Sequence, residues 1–456
     1  MPGLWSPQRR QLTLGLVLTI TLVAFEALAI ATVMPQVKDD LGGLALYGWV
    51  FSGFFLASIL GIVVSGQLAD RRGLALPFTV GLVLFAVGLI IGGFAQSMEV
   101  LVAGRILQGF GAGAIPAVGY AAIARGYPPS LRPRMFATTS TAWVVPGLVG
   151  PAIATVVEHA WSWRLVFLGL LPIVAIAGVM TIPAMRALGA EPTRPSPEQA
   201  RADRRGLGRV VLLVLAVGAV LLATSDVPLG LTITLVVVGL PLAAWSFVGL
   251  VPPGTSRLKQ GVPATVAVRG ILTCGFFGAD AYVSLAIVDG RGASTWLVGA
   301  ALTAGTITWA AGSWIQARLI GQLGPRRLVA FGLSLMAVAI GLLLAMALGL
   351  PAWTAIVAWV FGGMGMGLAY TPLSIVVLAA AKPGQEGGAS ASLQLSDTLG
   401  VAVGTGLGGA IVALGDNRGW AVSSSTAVVF ASSLAVTFLA LLATRRLPSR
   451  VPTSPG

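Results

Sequence analysis

Four ionisable side chains stand inside long apolar stretches of the sequence: Glu26, Arg105, Asp280 and Asp397. An acidic side chain at the centre of a membrane-spanning helix costs about 2.5–3.5 kcal/mol on insertion scales, so it is seldom present without a partner or a function. A carboxylate that has no partner in a low-dielectric environment takes up a proton readily, which suits proton exchange or the binding of a cation. Three acids against one arginine predict that at least one such carboxylate is left over.

Polar and aromatic side chains near these four can complete a binding site. Gln108 follows Arg105 by one helical turn, and several aromatic residues can offer apolar or cation–π contacts to a ligand, namely Phe276, Phe277, Tyr282, Trp309 and Tyr370. Two alternatives remain open. Arg105 can pair with an acid only to cancel its charge, and each aromatic residue can serve in packing or face lipid.

The composition shows which environment must hold these residues. The chain has 456 residues, is 56% hydrophobic and only 9% charged, and has a mean hydropathy of +0.92, whereas soluble domains contain about 25% charged residues. The sequence therefore predicts a polytopic membrane protein that has the lipid bilayer as a partner. In a soluble protein, the net charge of +13 would suggest nucleic-acid binding.

Apolar runs of about 20 residues predict membrane-spanning helices. Fourteen are expected, with approximate cores at 11–34, 46–69, 75–96, 99–124, 135–157, 163–185, 209–225, 228–250, 263–288, 294–317, 327–349, 352–379, 387–413 and 422–444. The first helix of the 209–251 pair is short, so a hairpin that does not fully cross the membrane is an alternative for that pair.

Basic residues mark alternate connections between these helices. All but five of the 28 lysines and arginines fall on one side, and Arg257, Lys259 and Arg269 are grouped there in one connection; the exceptions are Lys38, Arg105, Arg164, Arg291 and Arg418. The positive-inside rule makes that side the cytoplasm and places both termini there, in the cell membrane. Charges strung along separate connections do not form the surface patch that nucleic acid requires, so no nucleic-acid partner is expected.

Recurring glycines indicate two related halves. Gly109, Gly111 and Gly113 match Gly363, Gly365 and Gly367 at an offset of 254, while Gly73 and Gly81 match Gly324 and Gly332 at an offset of 251. We therefore expect an N-terminal six-helix bundle (1–186), a cytoplasmic linker (187–208), two inserted helices (209–251) and a C-terminal six-helix bundle with a tail (252–456). Small residues at such spacing let helix backbones approach closely in membranes.

Other chemistries find little support in the sequence. Cys274 is the single cysteine and His159 the single histidine, so neither a disulfide nor a metal site is expected. We see no nucleophile–base pair and no phosphate-binding loop, so the chain is predicted not to be an enzyme. Paired repeats of spanning helices are the architecture of secondary transporters, and an ion gradient would then replace any cofactor.

Four motifs carry a more specific resemblance. They are GQLADRRG (66–73), GRILQGFGAG (104–113), VPGLVGPAIA (145–154) and SWRLVFLGLLP (162–172). They resemble motifs of the major facilitator superfamily, and with fourteen spanning helices the chain looks like its drug:proton antiporter branch. The resemblance implies an all-α membrane fold of two six-helix bundles plus two extra central helices.

The resemblance also implies roles for individual residues. The loop after the second helix would form a cytoplasmic lock, and Arg105 with Gln108 would take part in proton movement. The fifth helix would carry the motif associated with export, and Glu26 would be the acid of the first helix. The lock residues would be Gly66, Asp70, Arg71 and Gly73, and the export motif Gly147, Gly150 and Pro151.

These observations predict a proton-coupled exporter of small amphipathic or hydrophobic compounds, such as drugs or antibiotics, that acts as a monomer by alternating access. One alternative is a proton symporter that imports a metabolite on the same scaffold. Another is a non-transporting membrane protein that handles lipids or acts as a sensor.

Overall fold

The computed structural model describes residues 3–7, 9–128, 131, 134–135, 138–139, 142, 144–188, 197–223, 228–380 and 386–451. Within these ranges the regular structure is helical. The α-helices are α1 (Arg10–Leu41), α2 (Tyr47–Arg72), α3 (Ala75–Gly93), α4 (Met98–Gly126), α5 (Val144–Ala160), α6 (Arg164–Leu168), α7 (Leu171–Ala187), α8 (Pro197–Leu222), α9 (Leu229–Val248), α10 (Val262–Asp280), α11 (Val283–Val288), α12 (Thr295–Leu348), α13 (Thr354–Ala379), α14 (Glu386–Asn417) and α15 (Val422–Ala443).

Twelve helices in the described ranges are long and apolar enough to cross a membrane. One of them, α12, has 54 residues and contains Gly324 with non-helical dihedrals (φ 72°, ψ 164°), so it covers two predicted spanning helices. The predicted fifth spanning helix (135–157) falls partly on residues outside the described ranges; α5, which overlaps the second part of this span, has 17 residues. The protein is therefore a multi-pass membrane protein, and the count of fourteen stays a prediction.

The chain divides into two compact units. The N-terminal unit comprises Met1–Gly42 and Gly53–Val214, and the C-terminal unit comprises Gly43–Ser52 and Leu215–Gly456. The part of α8 up to Val214 thus belongs to the N-terminal unit, whereas its remainder from Leu215 and all of α9 belong to the C-terminal unit. Both α8 and α9 contain candidate membrane spans, at Asp203–Leu222 and Gly230–Val248.

Glycines of α4 hold the N-terminal unit together by close backbone contact. A Cβ atom on Gly109 or Gly113 would overlap backbone carbonyl atoms of α2, and one on Gly111 would overlap the carbonyl oxygen of Gly81 in α3. Packing against both neighbours therefore requires residues without side chains at these positions.

The C-terminal unit repeats this arrangement with the matching glycines of α13. Gly363 and Gly367 lie against backbone atoms of the first half of α12, and Gly365 lies against the carbonyl oxygen of Gly332 in its second half. The first half of α12 thus takes the place that α2 has in the N-terminal unit, and its second half takes the place of α3. The regular offset in the sequence therefore reflects equivalent helix contacts in the two units.

The backbone reversal after α2, at Gly73, matches the one inside α12, at Gly324. Gly73 and Gly324 have φ values of 79° and 72°, in the left-handed region that glycine adopts without a steric cost. Both glycines stand at the same place in their repeat, so the same backbone reversal recurs.

Candidate functional site

In the N-terminal unit, Arg105 of α4 joins Glu26 of α1 in a buried charge cluster. Arg105 Nη1 donates to Glu26 Oε1 and also to Gln108 Oε1, the latter at 2.7 Å. The Cζ atom of Arg105 lies 4.1 Å from the centroid of the Phe54 ring. Glu26 is 0% and Arg105 3% exposed, so this ion pair is closed to its surroundings.

The pairing neutralises both charges, which was the alternative that the sequence left open for Arg105. Glu26 Oε2 and Gln108 Nε2 are buried and have no hydrogen-bond partner among the described residues. Polar groups in an apolar interior are costly unless they are hydrogen-bonded, so the hydrogen bonds that Arg105 donates help to stabilise this cluster.

In the C-terminal unit, Arg269 corrects an expectation from the sequence. Its grouping with Arg257 and Lys259 predicted a place in a cytoplasmic connection, but it lies within α10 and is 4% exposed. Arg269 Nε donates to Asp397 Oδ1 at 2.7 Å and Nη1 donates to the carbonyl oxygen of Tyr370 at 2.7 Å. Burial of Arg269 could have been predicted from the sequence, because the residue lies inside the predicted span 263–288.

Tyr370 and Asp397 surround this guanidinium on two sides. The Arg269 Cζ atom lies 3.0 Å from the centroid of the Tyr370 ring. The Tyr370 hydroxyl donates to Asp397 Oδ2 at 2.9 Å. Ser374 adds a hydrogen bond from Arg269 Nη1 to its hydroxyl at 3.3 Å. Asp397 is therefore already paired with a cation of its own chain, which the sequence alone did not indicate.

Asp280 is the remaining predicted acid, and its environment differs. Trp359 Nε1 donates to Asp280 Oδ1 at 3.0 Å. No lysine or arginine in the described ranges forms a salt bridge with Asp280, although Glu26 and Asp397 each have one. Asp280 is intermediate in exposure, whereas Glu26 is fully buried.

An aromatic row, defined as Trp359, Phe276, Trp309 and Tyr370, connects the surroundings of Asp280 with those of Asp397. Trp359 stacks on Phe276 with centroids 5.4 Å apart and an interplanar angle of 13°. Trp309 meets Phe276 edge-on at 5.8 Å and Tyr370 at 5.7 Å. Phe277 also packs edge-on against Phe276 at 5.2 Å. Trp359 was not among the predicted site residues.

Tyr282, the fifth predicted aromatic residue, packs elsewhere in the C-terminal unit. Its hydroxyl donates to the carbonyl oxygen of Thr405 at 2.6 Å, and its ring lies 5.6 Å from that of Tyr47. It is fully buried. Its observed contacts are therefore those of a residue that joins α14 to the segment after α10.

The predicted lock residues lie at the end of α2, where they form exposed ion pairs. Arg71 Nη2 lies 3.0 Å from Asp203 Oδ2 of α8, and Asp70 Oδ1 lies 3.4 Å from Arg125 Nη2 of α4. Around Gly66 there is open space, since a Cβ atom there would meet nothing within 4 Å. The loop motif therefore contacts α8 at Asp203, which lies inside the predicted linker (187–208); the sequence predicted neither a helix at this position nor this contact.

The predicted export motif lies in α5, next to the helix that carries Glu26. Pro151 is inside α5, and Gly147 is buried. A Cβ atom on Gly150 would lie 3.6 Å from the Phe25 ring of α1. This part of α5 therefore packs against the turn of α1 that holds Glu26.

The described residues contain no group of three or more histidine, cysteine, aspartate or glutamate side chains that could hold a metal ion. Cys274 is free, and His159 Nδ1 lies 2.6 Å from Glu158 Oε2.

An all-helical membrane protein with glycine-packed repeats and ionisable groups paired inside its helices fits the class of secondary transporters. A profile of the Major Facilitator Superfamily matches residues 16–320. The chain belongs to that superfamily. It is therefore a member of a transporter family and not an enzyme.

Its curated relatives include drug efflux proteins. A probable multidrug-efflux transporter of Mycobacterium tuberculosis is 27% identical over 420 residues, which cover 86% of this chain and 85% of that protein. The multidrug efflux pump SdrM of Staphylococcus aureus is 21% identical, with 88% of this chain and 89% of the pump covered.

Solved structures of other transporters have a similar fold. An auto-inhibited POT family peptide transporter superposes with a TM-score of 0.70 at 15% identity, covering 98% of this chain and 99% of the other. The human organic anion transporter MFSD10 gives 0.63 at 15% identity, with coverages of 96% and 99%. At this identity the likeness concerns the fold alone.

Proposed function

We propose that this protein exports small amphipathic compounds, in particular lipophilic cations, in exchange for protons across the cell membrane, with both termini in the cytoplasm. The efflux activity named for its relatives supports this proposal. The observation that carries it is the environment of Asp280, a half-buried carboxylate inside a predicted span. This carboxylate accepts from an indole N–H and lies beside the aromatic row, but it has no paired cation among the described residues.

Carboxylate and aromatic rings together suit a cation that carries apolar surface. The carboxylate supplies the opposite charge, while ring faces attract a cation within about 6 Å of their centroids. A proton on Asp280 would remove that charge. Binding of a proton and of a cationic substrate would therefore exclude each other, which is the condition for exchange of one against the other.

The cluster of Glu26, Arg105 and Gln108 has a second role in this proposal. Because the pair is sealed, Glu26 exchanges a proton only after α1 and α4 rearrange, so its protonation would report a change of conformation. Loss of the Glu26 charge would free Arg105, and the packing of α5 against α1 would transmit that change. The ion pairs of Asp70 and Arg71 would limit this conformational change at the C-terminal end of α2, whose Phe54 contacts Arg105.

Proteoliposomes with an imposed proton gradient test the proposal. Vesicles that are acidic inside should accumulate the lipophilic cation tetraphenylphosphonium, and its addition should dissipate the gradient. Accumulation only when the outside is acidic would indicate a symporter. No gradient-dependent movement, by correctly folded protein, would favour a non-transporting role. Either result would overturn the proposed exchange.

A further inference from the structure

The groups around the Arg269 guanidinium resemble those around a bound organic cation more than those of an ion pair at a surface. Its guanidinium lies over an aromatic ring, donates to a carboxylate and donates to a backbone carbonyl oxygen, all in the C-terminal unit. Ring face, carboxylate and carbonyl oxygen are together the groups that recognise a planar organic cation. The Arg269 guanidinium therefore occupies a set of groups that could equally bind a cationic ligand.

We infer that Asp397 and Tyr370 form a cation subsite for guanidinium-bearing substrates. The Arg269 side chain occupies this subsite until such a substrate displaces it. This inference rests on the proposed export of cations and specifies a substrate class for it. Arg269 is then a residue that determines specificity, because only a cation that can replace its hydrogen bonds to Asp397 and Tyr370 can displace it.

The geometry of the subsite favours guanidinium over other cations. Asp397 accepts from Nε of Arg269 on one oxygen and from the Tyr370 hydroxyl on the other, at 2.7 and 2.9 Å. The carbonyl oxygen of Tyr370 accepts from Nη1 of the same guanidinium at 2.7 Å. A flat cation with several N–H donors can repeat these bonds, whereas a quaternary cation without donors cannot.

The aromatic row gives a reason why the subsite belongs to the same substrate path as Asp280. Tyr370 is both a wall of the subsite and the end of the row that begins at Trp359, the donor to Asp280. Ring contacts therefore run without interruption from the hydrogen-bond donor of Asp280 to the wall of the Asp397 subsite.

Binding measurements on the purified full-length protein test this inference, with benzylguanidinium and tetraphenylphosphonium as probes. Arg269→Ala removes the occupant and leaves its space. We expect benzylguanidinium to bind at least about tenfold more tightly to this variant than to the unaltered protein, and tetraphenylphosphonium to bind as before. The double variant Arg269→Ala/Asp397→Asn lacks the carboxylate and should lose the gain. A merely structural Arg269 predicts no selective gain for benzylguanidinium, or the same gain in both variants, and either result overturns the inference.

A second measurement needs no variant, in case Arg269→Ala does not fold. Phenylglyoxal modifies accessible arginines, and peptide mass spectrometry reports the modification of Arg269 separately. Saturating benzylguanidinium should increase that modification by displacing the side chain, whereas tetraphenylphosphonium should not. Unchanged modification of Arg269 with benzylguanidinium bound would contradict the inference. Binding of tetraphenylphosphonium to the unaltered protein tests the cation site at Asp280 independently.

Discussion

Trp359 donates its indole N–H to Asp280 Oδ1 at 3.0 Å while its ring stacks on Phe276. One side chain thus orients the carboxylate and forms part of the aromatic surface beside it. Trp359 links the charge of the candidate site to its apolar wall.

Trp359→Phe separates these two contributions, because phenylalanine keeps a ring but has no N–H. Loss of one hydrogen bond to a charged group should lower the affinity for tetraphenylphosphonium about fivefold or more, as measured by equilibrium binding. Trp353→Phe is the matched control, since Trp353 precedes the same helix and is 60% exposed. Equal affinities in the two variants would show that the indole N–H does not support the site.

Glu26→Gln should destabilise the protein strongly, because Arg105 would remain charged and buried without its acid. Breaking a buried pair by removing one partner costs about 3–5 kcal/mol, visible as earlier thermal unfolding in detergent. The double variant Glu26→Gln/Arg105→Gln should recover much of that loss. If the double variant is less stable than the single one by an additive amount, the two side chains are not coupled.

Gly113→Ala should destabilise the N-terminal unit, because its Cβ atom would overlap the backbone carbonyl of Ser58. Overpacking of this kind costs about 1–3 kcal/mol. Gly119→Ala in the same helix is the control, since its Cβ atom would meet only a methyl group of Leu16 at 3.5 Å. Thermal unfolding compares the two, and equal stability would contradict the close helix contact.

Arg71→Gln should affect transport more than stability. The pair of Arg71 with Asp203 is exposed, at 41% and 37%, so its loss should change the free energy of unfolding by less than about 1 kcal/mol. If the loop motif limits the conformational change, the rate of export should fall several-fold in proteoliposomes. Normal export by Arg71→Gln would remove the lock role from this residue.

Much of the helical framework could be predicted from the sequence, because membrane spans and glycine spacing are local patterns. The match of Gly111 with Gly365 predicted two related halves, and both glycines lie against the equivalent neighbouring helix segment in their unit. Membership of the superfamily followed equally from short motifs whose residues are adjacent in the chain.

The charge pairing could not be predicted in the same way, because it depends on which helices become neighbours. Arg269 was grouped with Arg257 and Lys259 by proximity in sequence, although its place inside a predicted span argued for burial. Trp359 carried no chemical signal of its own within an apolar helix. Only the approach of α13 to α10 shows that its indole meets Asp280.

We claim that Asp280 exchanges a proton for a cationic substrate, so binding of that substrate should release a proton to the solution. In weakly buffered solution, tetraphenylphosphonium should acidify a solution of the unaltered protein and of Asp416→Asn, in which an exposed carboxylate is changed. Folded Asp280→Asn should release no protons when the same probe is added. Proton release from Asp280→Asn equal to that of the unaltered protein would contradict the claim.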